Sequence, residues 1–294
     1  MGAIGYYIAY FFILLITMLP LRVMYILSYP LYVVLYYLPG YRRKVTRRNL
    51  LNSFPEKSLK EILHTERRFY LHLADLFIET LKSGHMSEKE FRKRFVITNP
   101  ELPSEILASG RDVLAVSGHY CNWEWLVAAP LYIKGKTLII YRPLKNKRFD
   151  RLIFRLRSRF GIVLTPLSNI VREIISHRNQ GMNTMSVFIA DQAPRKKEIS
   201  YWTTFMNQDA PVYLGAEKVS TKFDMAVLFM NVKKIRRGHY ELTFEELFRD
   251  TRTLSEYEVT EAHVRRLEEI IREKPEYWIW THRRWRHRKE AFVG

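Results

Sequence analysis

One stretch decides the fold of this chain: Val113-Leu114-Ala115-Val116-Ser117-Gly118-His119-Tyr120-Cys121-Asn122-Trp123-Glu124. Its apolar beginning predicts a short buried strand, and the glycine after it predicts a turn. The apolar residues from Trp125 to Leu131 then predict a helix, for which Asn122 is a good N-cap. A strand, a turn and a helix start would together place a histidine and a carboxylate in a cleft.

His119 and Glu124 are five positions apart, which limits how they can pair. On a continuous helix, five residues rotate by about 500°, which leaves the two side chains roughly 140° apart. They can pair if His119 lies in the turn and Glu124 lies in the first helical turn, where the helix dipole favours a carboxylate. Glu124 would then hold one ring nitrogen and leave the other as a general base. The alternative is a capped helix with a surface histidine, and the spacing alone does not exclude it.

The composition limits the class of protein. The chain has 294 residues, which suits one large or two small domains. Its formal net charge of +18 favours a negatively charged partner, such as nucleic acid, an anionic membrane surface or an acidic protein. A single cysteine excludes an intramolecular disulfide, and the histidines show no spacing typical of zinc ligands. We therefore expect no metal and no cofactor.

The N-terminus is strongly apolar. Residues 1–21 contain no charged side chain and are long enough to cross a bilayer core of about 30 Å. Residues 23–41 are also uncharged, but prolines divide them. We predict one transmembrane helix, about residues 4–21, followed by interfacial helical pieces. The basic residues at 42–48 predict that the rest of the chain lies on the cytoplasmic face of the inner membrane. The alternative is a soluble protein with a buried apolar N-terminal helix.

The composition changes only near residue 41, which predicts a membrane anchor at 1–41 and one catalytic domain at 42–294. In the domain, short apolar runs alternate with amphipathic stretches. This pattern predicts an α/β fold with a mixed, mostly parallel sheet flanked by helices. His119 and Asp191 would both follow strands, at the edge where such sheets bind ligands. The predicted strands are 113–117, 137–141, 162–165, 186–190, 225–231 and 240–244. The predicted helices are 58–82, 123–134, 147–160, 168–178, 213–222 and 256–273.

Three further clusters could contribute to a site. Arg142 and Asn146 follow a predicted strand and precede an arginine-rich helix, which suits phosphate binding or forms a solvated basic face. Asp191-Gln192 indicates a turn that faces the cleft, or a turn stabilised by the aspartate alone. Tryptophan and arginine interleave at 277–285, which is typical of single-stranded nucleic-acid binding or of a membrane surface. The apolar N-terminus favours the membrane.

Together these motifs resemble the late (lauroyl/myristoyl) acyltransferases of lipid A biosynthesis, within the lysophospholipid acyltransferase superfamily. The resemblance covers nearly the whole chain, and it implies a glycerol-3-phosphate-acyltransferase-like fold. Each motif is weak alone, but six in the right order are specific. The Phe-Pro-Glu-Gly element typical of the glycerol-phosphate branch does not follow the catalytic motif. The matching elements are the apolar N-terminus, Arg47-Arg48-Asn49-Leu50 with Phe54-Pro55, Gly118-His119 to Glu124, Tyr141-Arg142-Pro143 with Asn146, Asp191-Gln192, and Trp280-Thr281-His282-Arg283-Arg284-Trp285.

The resemblance implies acyl transfer from acyl carrier protein, or less often acyl-CoA, to a hydroxyl of a membrane glycolipid, a lipid A precursor. His119 and Glu124 would be the catalytic pair. His119 would take the proton of the hydroxyl, and no acyl-enzyme would form. The expected substrate-binding residues are Arg142, Asn146 and Arg157 on phosphate or sugar groups, with Asn122, Asp191 and Gln192 along the cleft.

Two other functions fit parts of the sequence. An acyltransferase for another membrane lipid, such as an amino-acid lipid, a phosphatidylinositol mannoside or a lysophospholipid, would keep the same motifs and differ in its acceptor pocket. A membrane-anchored nucleic-acid-binding protein would use the positive charge and the C-terminal Trp/Arg cluster without His119. The ordered motifs favour the lipid A interpretation, so we expect no nucleic-acid partner.

Overall fold

The computed structural model describes residues 3–38, 40–143 and 146–292. Within these ranges the strands are β1 (Phe95–Ile97), β2 (Val113–Ser117), β3 (Lys136–Tyr141), β4 (Val163–Pro166), β5 (Thr184–Ile189), β6 (Tyr201–Phe205), β7 (Gln208–Val212), β8 (Ala226–Arg236) and β9 (His239–Phe248). The α-helices are α1 (Ala3–Met18), α2 (Leu21–Tyr36), α3 (Arg43–Ser53), α4 (Leu59–Ser83), α5 (Glu88–Arg94), α6 (Glu101–Ala108), α7 (Lys147–Arg157), α8 (Ile170–Arg178), α9 (Gly215–Phe223) and α10 (Glu258–Glu273). Short 3-10 helices cover Trp123–Leu131, Arg159–Gly161, Leu167–Asn169, Lys196–Glu198, Pro275–Tyr277 and Lys289–Phe292.

A seven-stranded sheet in the order β1-β9-β8-β2-β5-β3-β4 forms the centre of the molecule. Strands β8, β2, β5, β3 and β4 are parallel, whereas β9 runs antiparallel to β8 and parallel to β1. All five residues of β2 are buried, as expected for a central parallel strand that is covered on both faces. The predicted mixed, mostly parallel sheet flanked by helices is therefore confirmed.

The sequence pattern located the long elements better than the short ones. Strand β2 has the predicted bounds, and Ser58 caps α4 through a reciprocal capping box with Glu61. The prediction missed β1, which has only three residues, and the hairpin of β6 and β7. The hairpin turn uses Met206-Asn207, both with positive φ, instead of the Asn-Gly pair that marks such turns in a sequence. The predicted helix at 123–134 is a 3-10 helix that contains a proline.

The two apolar N-terminal helices are separated by Pro20. Helix α1 has 16 residues, or about 24 Å at 1.5 Å per residue, which is less than a bilayer core of about 30 Å. Among the described residues, no helix has both the length and the apolar character that crossing a membrane requires. The predicted transmembrane helix at about 4–21 is therefore not supported.

Helix α2 packs against α4, and side chains of the domain bind the N-terminal segment. The Lys82 ammonium donates to the carbonyl oxygens of Thr17 and Leu19, at 2.9 and 3.0 Å. These carbonyls lie at the end of α1, where a cation is favourable. The Tyr25 hydroxyl of α2 donates to Glu79 of α4 at 2.5 Å. The segment before residue 41 thus shares contacts with the rest of the chain, and the domain boundary at residue 41 stays a prediction.

The Glu79 carboxylate is the hub of a buried hydrogen-bond network. It accepts from the Tyr25 hydroxyl, from Asn122 Nδ2 at 2.7 Å and from the Tyr240 hydroxyl at 2.7 Å. The Glu79 carbonyl oxygen also accepts from the Trp125 indole at 3.3 Å. Burial raises the pKa of this carboxyl. One side chain of α4 thereby joins α2, β9 and the start of the 3-10 helix that follows β2.

Glu79→Ala is expected to lower the free energy of unfolding by at least about 3 kcal/mol, because it leaves three buried donors unpaired at about 1–3 kcal/mol each. The measurement is urea unfolding of the purified protein. Glu56→Ala is the matched control: Glu56 is exposed, and its loss should change stability by no more than about 0.5 kcal/mol. Equal unfolding midpoints for the two variants would contradict the structural role of Glu79.

Candidate active site

The candidate site lies where two neighbouring parallel strands end. Strands β2 and β5 pair in register up to Ser117 and Ile189, and the chain of β5 continues with Ala190 N–H donating to the Ser117 carbonyl at 3.0 Å. The residues that follow each strand therefore meet at the carboxyl edge of the sheet, as the sequence predicted. A Cβ at Gly118 would lie 2.7 Å from Leu267 Cδ1 and 3.3 Å from Asp191 Oδ2, so a larger residue there would displace the Leu267 side chain.

At this edge, His119 is held by Asp191. The His119 ring donates from Nδ1 to Asp191 Oδ1 at 2.6 Å, and the His119 backbone N–H donates to Oδ2 at 2.9 Å. The Trp278 indole donates to the same Oδ2 at 2.8 Å. With Nδ1 as the donor, Nε2 carries the free lone pair, and the Gln192 amide donates to it at 3.2 Å. The imidazole is therefore oriented with Nε2 facing the pocket, where this atom can accept a proton.

The Asp191 carboxylate is fully buried yet ionised. Burial raises the pKa of this group, but the nearby His119 and the hydrogen bonds from His119 and Trp278 outweigh burial and hold the pKa at about 2. A carboxylate that accepts several hydrogen bonds is strongly stabilised in its charged form. Asp191 can thus stabilise a positive charge on the ring when His119 accepts a proton.

Glu124 forms an ion pair with Arg157 and His119 pairs with Asp191, which corrects the pairing of His119 with Glu124 expected from the sequence. The Glu124 carboxylate accepts two hydrogen bonds from Arg157, at 2.9 Å from Nε and 2.5 Å from a terminal nitrogen. The reason is the path of the chain. Cys121 has a positive φ, and the 3-10 helix starts only after Asn122, so Glu124 points toward the end of α7. The position that the sequence assigned to Glu124 is occupied by Asp191.

Asn122 caps the 3-10 helix, as the sequence predicted. Its side-chain oxygen accepts from the Trp125 N–H at 3.2 Å, while its amide donates to Glu79. The side chain is completely buried. To contact a substrate, as expected from the sequence, Asn122 would have to break its hydrogen bonds with Glu79 and with the Trp125 N–H.

A pocket of about 920 Å³ opens beside His119. Of the predicted residues, it is lined by His119, Glu124, Arg142, Arg157 and Gln192, while Asp191 lies behind His119. Asn146 is exposed at the start of α7 and is not among the lining residues. The deeper wall is apolar and is formed by side chains of β3, β5 and the 3-10 helix, including Leu126, Val127, Ile139, Val187 and Phe188. The pocket thus combines a general base, an apolar wall and a basic rim.

The sequence did not reveal three other contributors. Trp123 packs its ring edge-on against His119, at 5.1 Å between ring centroids, and Arg195 and Tyr213 line the pocket. Trp123 lies next to Glu124, and Arg195 lies three positions after Gln192, so their positions in the sequence could have indicated them. Nothing in the sequence marks Tyr213. Groups of three or more potential metal ligands are absent from the part of the chain that the structure describes.

Two tryptophans and one arginine of the C-terminal Trp/Arg cluster are buried, which corrects the expected place of the cluster at a membrane surface, although Arg283 is exposed. Trp278, Trp280 and Arg284 are each no more than 2% exposed. Asn49 donates to the carbonyls of Trp280 and His282, both at 2.9 Å, so this cluster is fixed to α3. Its rings are therefore not free to stack on nucleic-acid bases. Its role in the site is to bring the Trp278 indole to Asp191.

Asp191→Asn is expected to remove an acid-sensitive part of the stability. Because the folded-state pKa of Asp191 lies below its value of about 3.9 in unfolded chains, its contribution is complete above about pH 4 and is lost as the pH falls toward 2. The shift corresponds to about 2–3 kcal/mol. Urea unfolding at several pH values should show the gap between wild type and Asp191→Asn closing over this range. Asp209→Asn, at an exposed position, is the control. A gap independent of pH would contradict the ionised state of Asp191.

Comparison with known proteins agrees with the resemblance seen in the sequence. No curated protein matches the chain significantly. A family model described as "Bacterial lipid A biosynthesis acyltransferase" matches residues 2–287, which is nearly the whole chain. The chain therefore belongs to the bacterial lipid A biosynthesis acyltransferase family, and it is an acyltransferase.

Proposed function

We propose that this chain is a membrane-bound O-acyltransferase that transfers a fatty acyl chain from acyl carrier protein, or acyl-CoA, to a hydroxyl of a lipid A precursor. The observation that carries the proposal is the His119–Asp191 pair, in which His119 Nε2 faces a pocket with an apolar wall and a basic rim. The apolar wall suits an acyl chain. The arginines of the rim suit the phosphate groups of a glycolipid acceptor.

The proposed reaction is a direct transfer. His119 Nε2 takes the proton of the acceptor hydroxyl, and the oxygen attacks the thioester carbonyl carbon. The C–S bond then breaks, and the imidazolium returns its proton to the leaving thiolate. Asp191 stabilises the imidazolium throughout. No acyl-enzyme is needed, and Cys121 is unsuited to form one, because it is fully buried and burial raises the pKa of its thiol.

In this proposal Glu124 and Arg157 act on the acceptor. Glu124 was the partner expected for His119, and its bidentate pairing with Arg157 supports a different role in the same pocket. It holds the guanidinium at the rim, where Arg142 also lies. The two arginines could then bind a phosphate while the acceptor hydroxyl reaches Nε2. The acceptor hydroxyl would then replace the Gln192 amide as the hydrogen-bond donor to His119 Nε2.

The surface of the chain supports the proposed partners. A net charge of +18 suits an acidic acyl carrier protein. Helices α1 and α2 expose apolar side chains, among them Phe12, Met18 and Ile26, each more than half exposed. Such a surface is typical of contact with a membrane. We place the catalytic pocket on the cytoplasmic face of the inner membrane, where the donor is available.

A different membrane lipid as acceptor would use the same machinery. Amino-acid lipids, phosphatidylinositol mannosides and lysophospholipids differ from a lipid A precursor in the groups that the rim must hold. Mass spectrometry of lipids made with and without the gene identifies the acceptor and the acyl chain together. If the lipid that lacks an acyl chain without the gene is not lipid A, that lipid takes the place of the lipid A precursor as the acceptor.

His119→Ala is expected to lower acyl transfer to a lipid A precursor by about 10²–10⁴-fold, because it removes the general base. The assay follows the acylated product by mass spectrometry with purified enzyme and acyl carrier protein or acyl-CoA as donor. His64→Ala changes an exposed histidine of α4 and should leave the rate unchanged. Turnover of His119→Ala near the wild-type rate would overturn the mechanism.

Asp191→Asn and Glu124→Gln are expected to have different kinetic effects. Asp191→Asn should lower kcat by about 10³–10⁴-fold, because an amide no longer fixes the tautomer or stabilises the imidazolium. Glu124→Gln should mainly raise KM for the acceptor, since it loosens Arg157. Steady-state kinetics with varied acceptor separates the two. The opposite pattern, a kcat loss confined to Glu124→Gln, would restore Glu124 as the partner of His119.

A further inference from the structure

A second, strongly basic cavity lies between α2, α5 and the turn that joins β8 to β9. Its volume is about 280 Å³, enough for several water molecules or a phosphate group. Tyr25 forms part of the wall of this cavity. The cavity and the pocket beside His119 share no lining residue. The basic lining residues are Arg22, Lys93, Arg94, Arg236, Arg237 and His239.

The positive charge of this cavity is only partly balanced. Arg94 pairs with Glu90 at 3.0 Å, and Arg237 pairs with Asp75 at 2.5 Å. In the described part of the chain, the other three cations of the cavity form no ion pair. The pKa of His239 is lowered by burial and by the nearby Arg236, Arg94 and Lys93, which is consistent with a positive local field. An anion in the cavity would relieve this repulsion.

The cavity is held in a defined shape. Gly238 has φ +69°, and a Cβ at this residue would lie 2.3 Å from the Tyr25 hydroxyl oxygen, so the β8–β9 turn packs tightly against α2. Arg237 donates to the Ser28 hydroxyl at 2.5 Å and contacts the face of the Tyr25 ring at 4.2 Å. The Arg94 guanidinium donates to the Gly238 carbonyl at 3.4 Å. These contacts fix Arg94 and Arg237 before any ligand binds, which lowers the cost of binding at these two cations.

The cavity lies at the catalytic edge of the sheet. Phe229 of β8 pairs with Val116 of β2, and β8 continues in the same direction to Arg236, about 23 Å further on at 3.3 Å per residue. Exposed apolar residues adjoin the cavity residues along the chain: Val23 and Ile26 follow Arg22 on α2, and Ile235 precedes Arg236 on β8. A basic cavity beside an apolar surface matches a lipid whose phosphate lies next to its acyl chains.

We propose that this cavity binds the phosphate of an anionic phospholipid and thereby docks the catalytic edge of the sheet on the membrane. The site is separate from the acceptor pocket, and the inference depends on the proposed membrane association. A free phosphate ion would use the cations but would not explain the adjoining apolar residues. The lipid is therefore the ligand that accounts for both features.

The test is sedimentation of the full-length protein with vesicles that contain no acceptor glycolipid. One set is phosphatidylcholine alone, and the other contains phosphatidylglycerol as the anionic lipid. The variant Arg22→Gln/Lys93→Gln/Arg236→Gln should bind the anionic vesicles about 10- to 100-fold more weakly than wild type, since each cation near the surface contributes about one kcal/mol. Binding to phosphatidylcholine vesicles should change little.

The matched control is Lys60→Gln/Lys218→Gln/Lys222→Gln, which removes the same charge from exposed lysines outside the cavity. If both triple variants lose the same amount of binding to anionic vesicles, the effect comes from net charge alone and the proposal is overturned. Binding of the cavity variant as tight as that of wild type would also overturn it. Circular dichroism and thermal melting verify the fold. If the triple variant fails to fold, Lys93→Gln/Arg236→Gln against Lys218→Gln/Lys222→Gln gives the same comparison. Since no acyl transfer is measured, failure of this site and failure of the proposed function are distinguishable.

Discussion

The buried carboxylate of Asp191 is the constraint on which the site depends. It accepts hydrogen bonds from the His119 ring, the His119 backbone and the Trp278 indole, with donor distances of 2.6 to 2.9 Å. A charged group without solvent is stable only if its hydrogen bonds are complete. Three separate parts of the chain must therefore meet at one point: the end of β2, the end of β5 and the segment after α10. This requirement aligns the ring before a substrate arrives.

A second buried carboxylate holds the other end of the same loop. Glu79 accepts from Asn122, which caps the 3-10 helix that carries Glu124. The four residues from His119 to Asn122 are thus held from two sides, by Asp191 after β5 and by Glu79 of α4. Glu79 also accepts from Tyr25 of α2. The loop from His119 to Asn122 and helix α2 are therefore linked through one side chain.

The pocket beside His119 and the surface beside α2 both place apolar side chains next to basic ones. Around His119, an apolar wall adjoins a rim that contains Arg142 and Arg157. Beside α2, exposed apolar side chains adjoin a basic cavity. Both arrangements suit amphiphilic molecules with an anionic head and an apolar tail. The pocket and the basic cavity both lie toward the carboxyl ends of the parallel strands β2 and β8.

The sequence alone determined the class of fold, most of the long helices and strands, and the position of His119 and Asp191 after strands. These properties follow from local periodicity and from residue types at helix and strand ends. The same information could not show the three-residue β1 or the β6–β7 hairpin, because short strands leave little periodicity and the turn lacks its usual glycine. The apolar composition of the N-terminus also predicted a longer helix than the chain forms, since Pro20 ends the run.

Only the tertiary structure decided which carboxylate holds His119. Glu124 is close to His119 in sequence, whereas Asp191 is 72 residues away and is brought near by the parallel pairing of β2 and β5. The burial of Trp278 and the basic cavity of Arg22, Lys93 and Arg236 have the same origin. Contacts between distant residues depend on strand order and register, which no local pattern specifies. The residue types of the site were therefore readable from the sequence, while their partners required the fold.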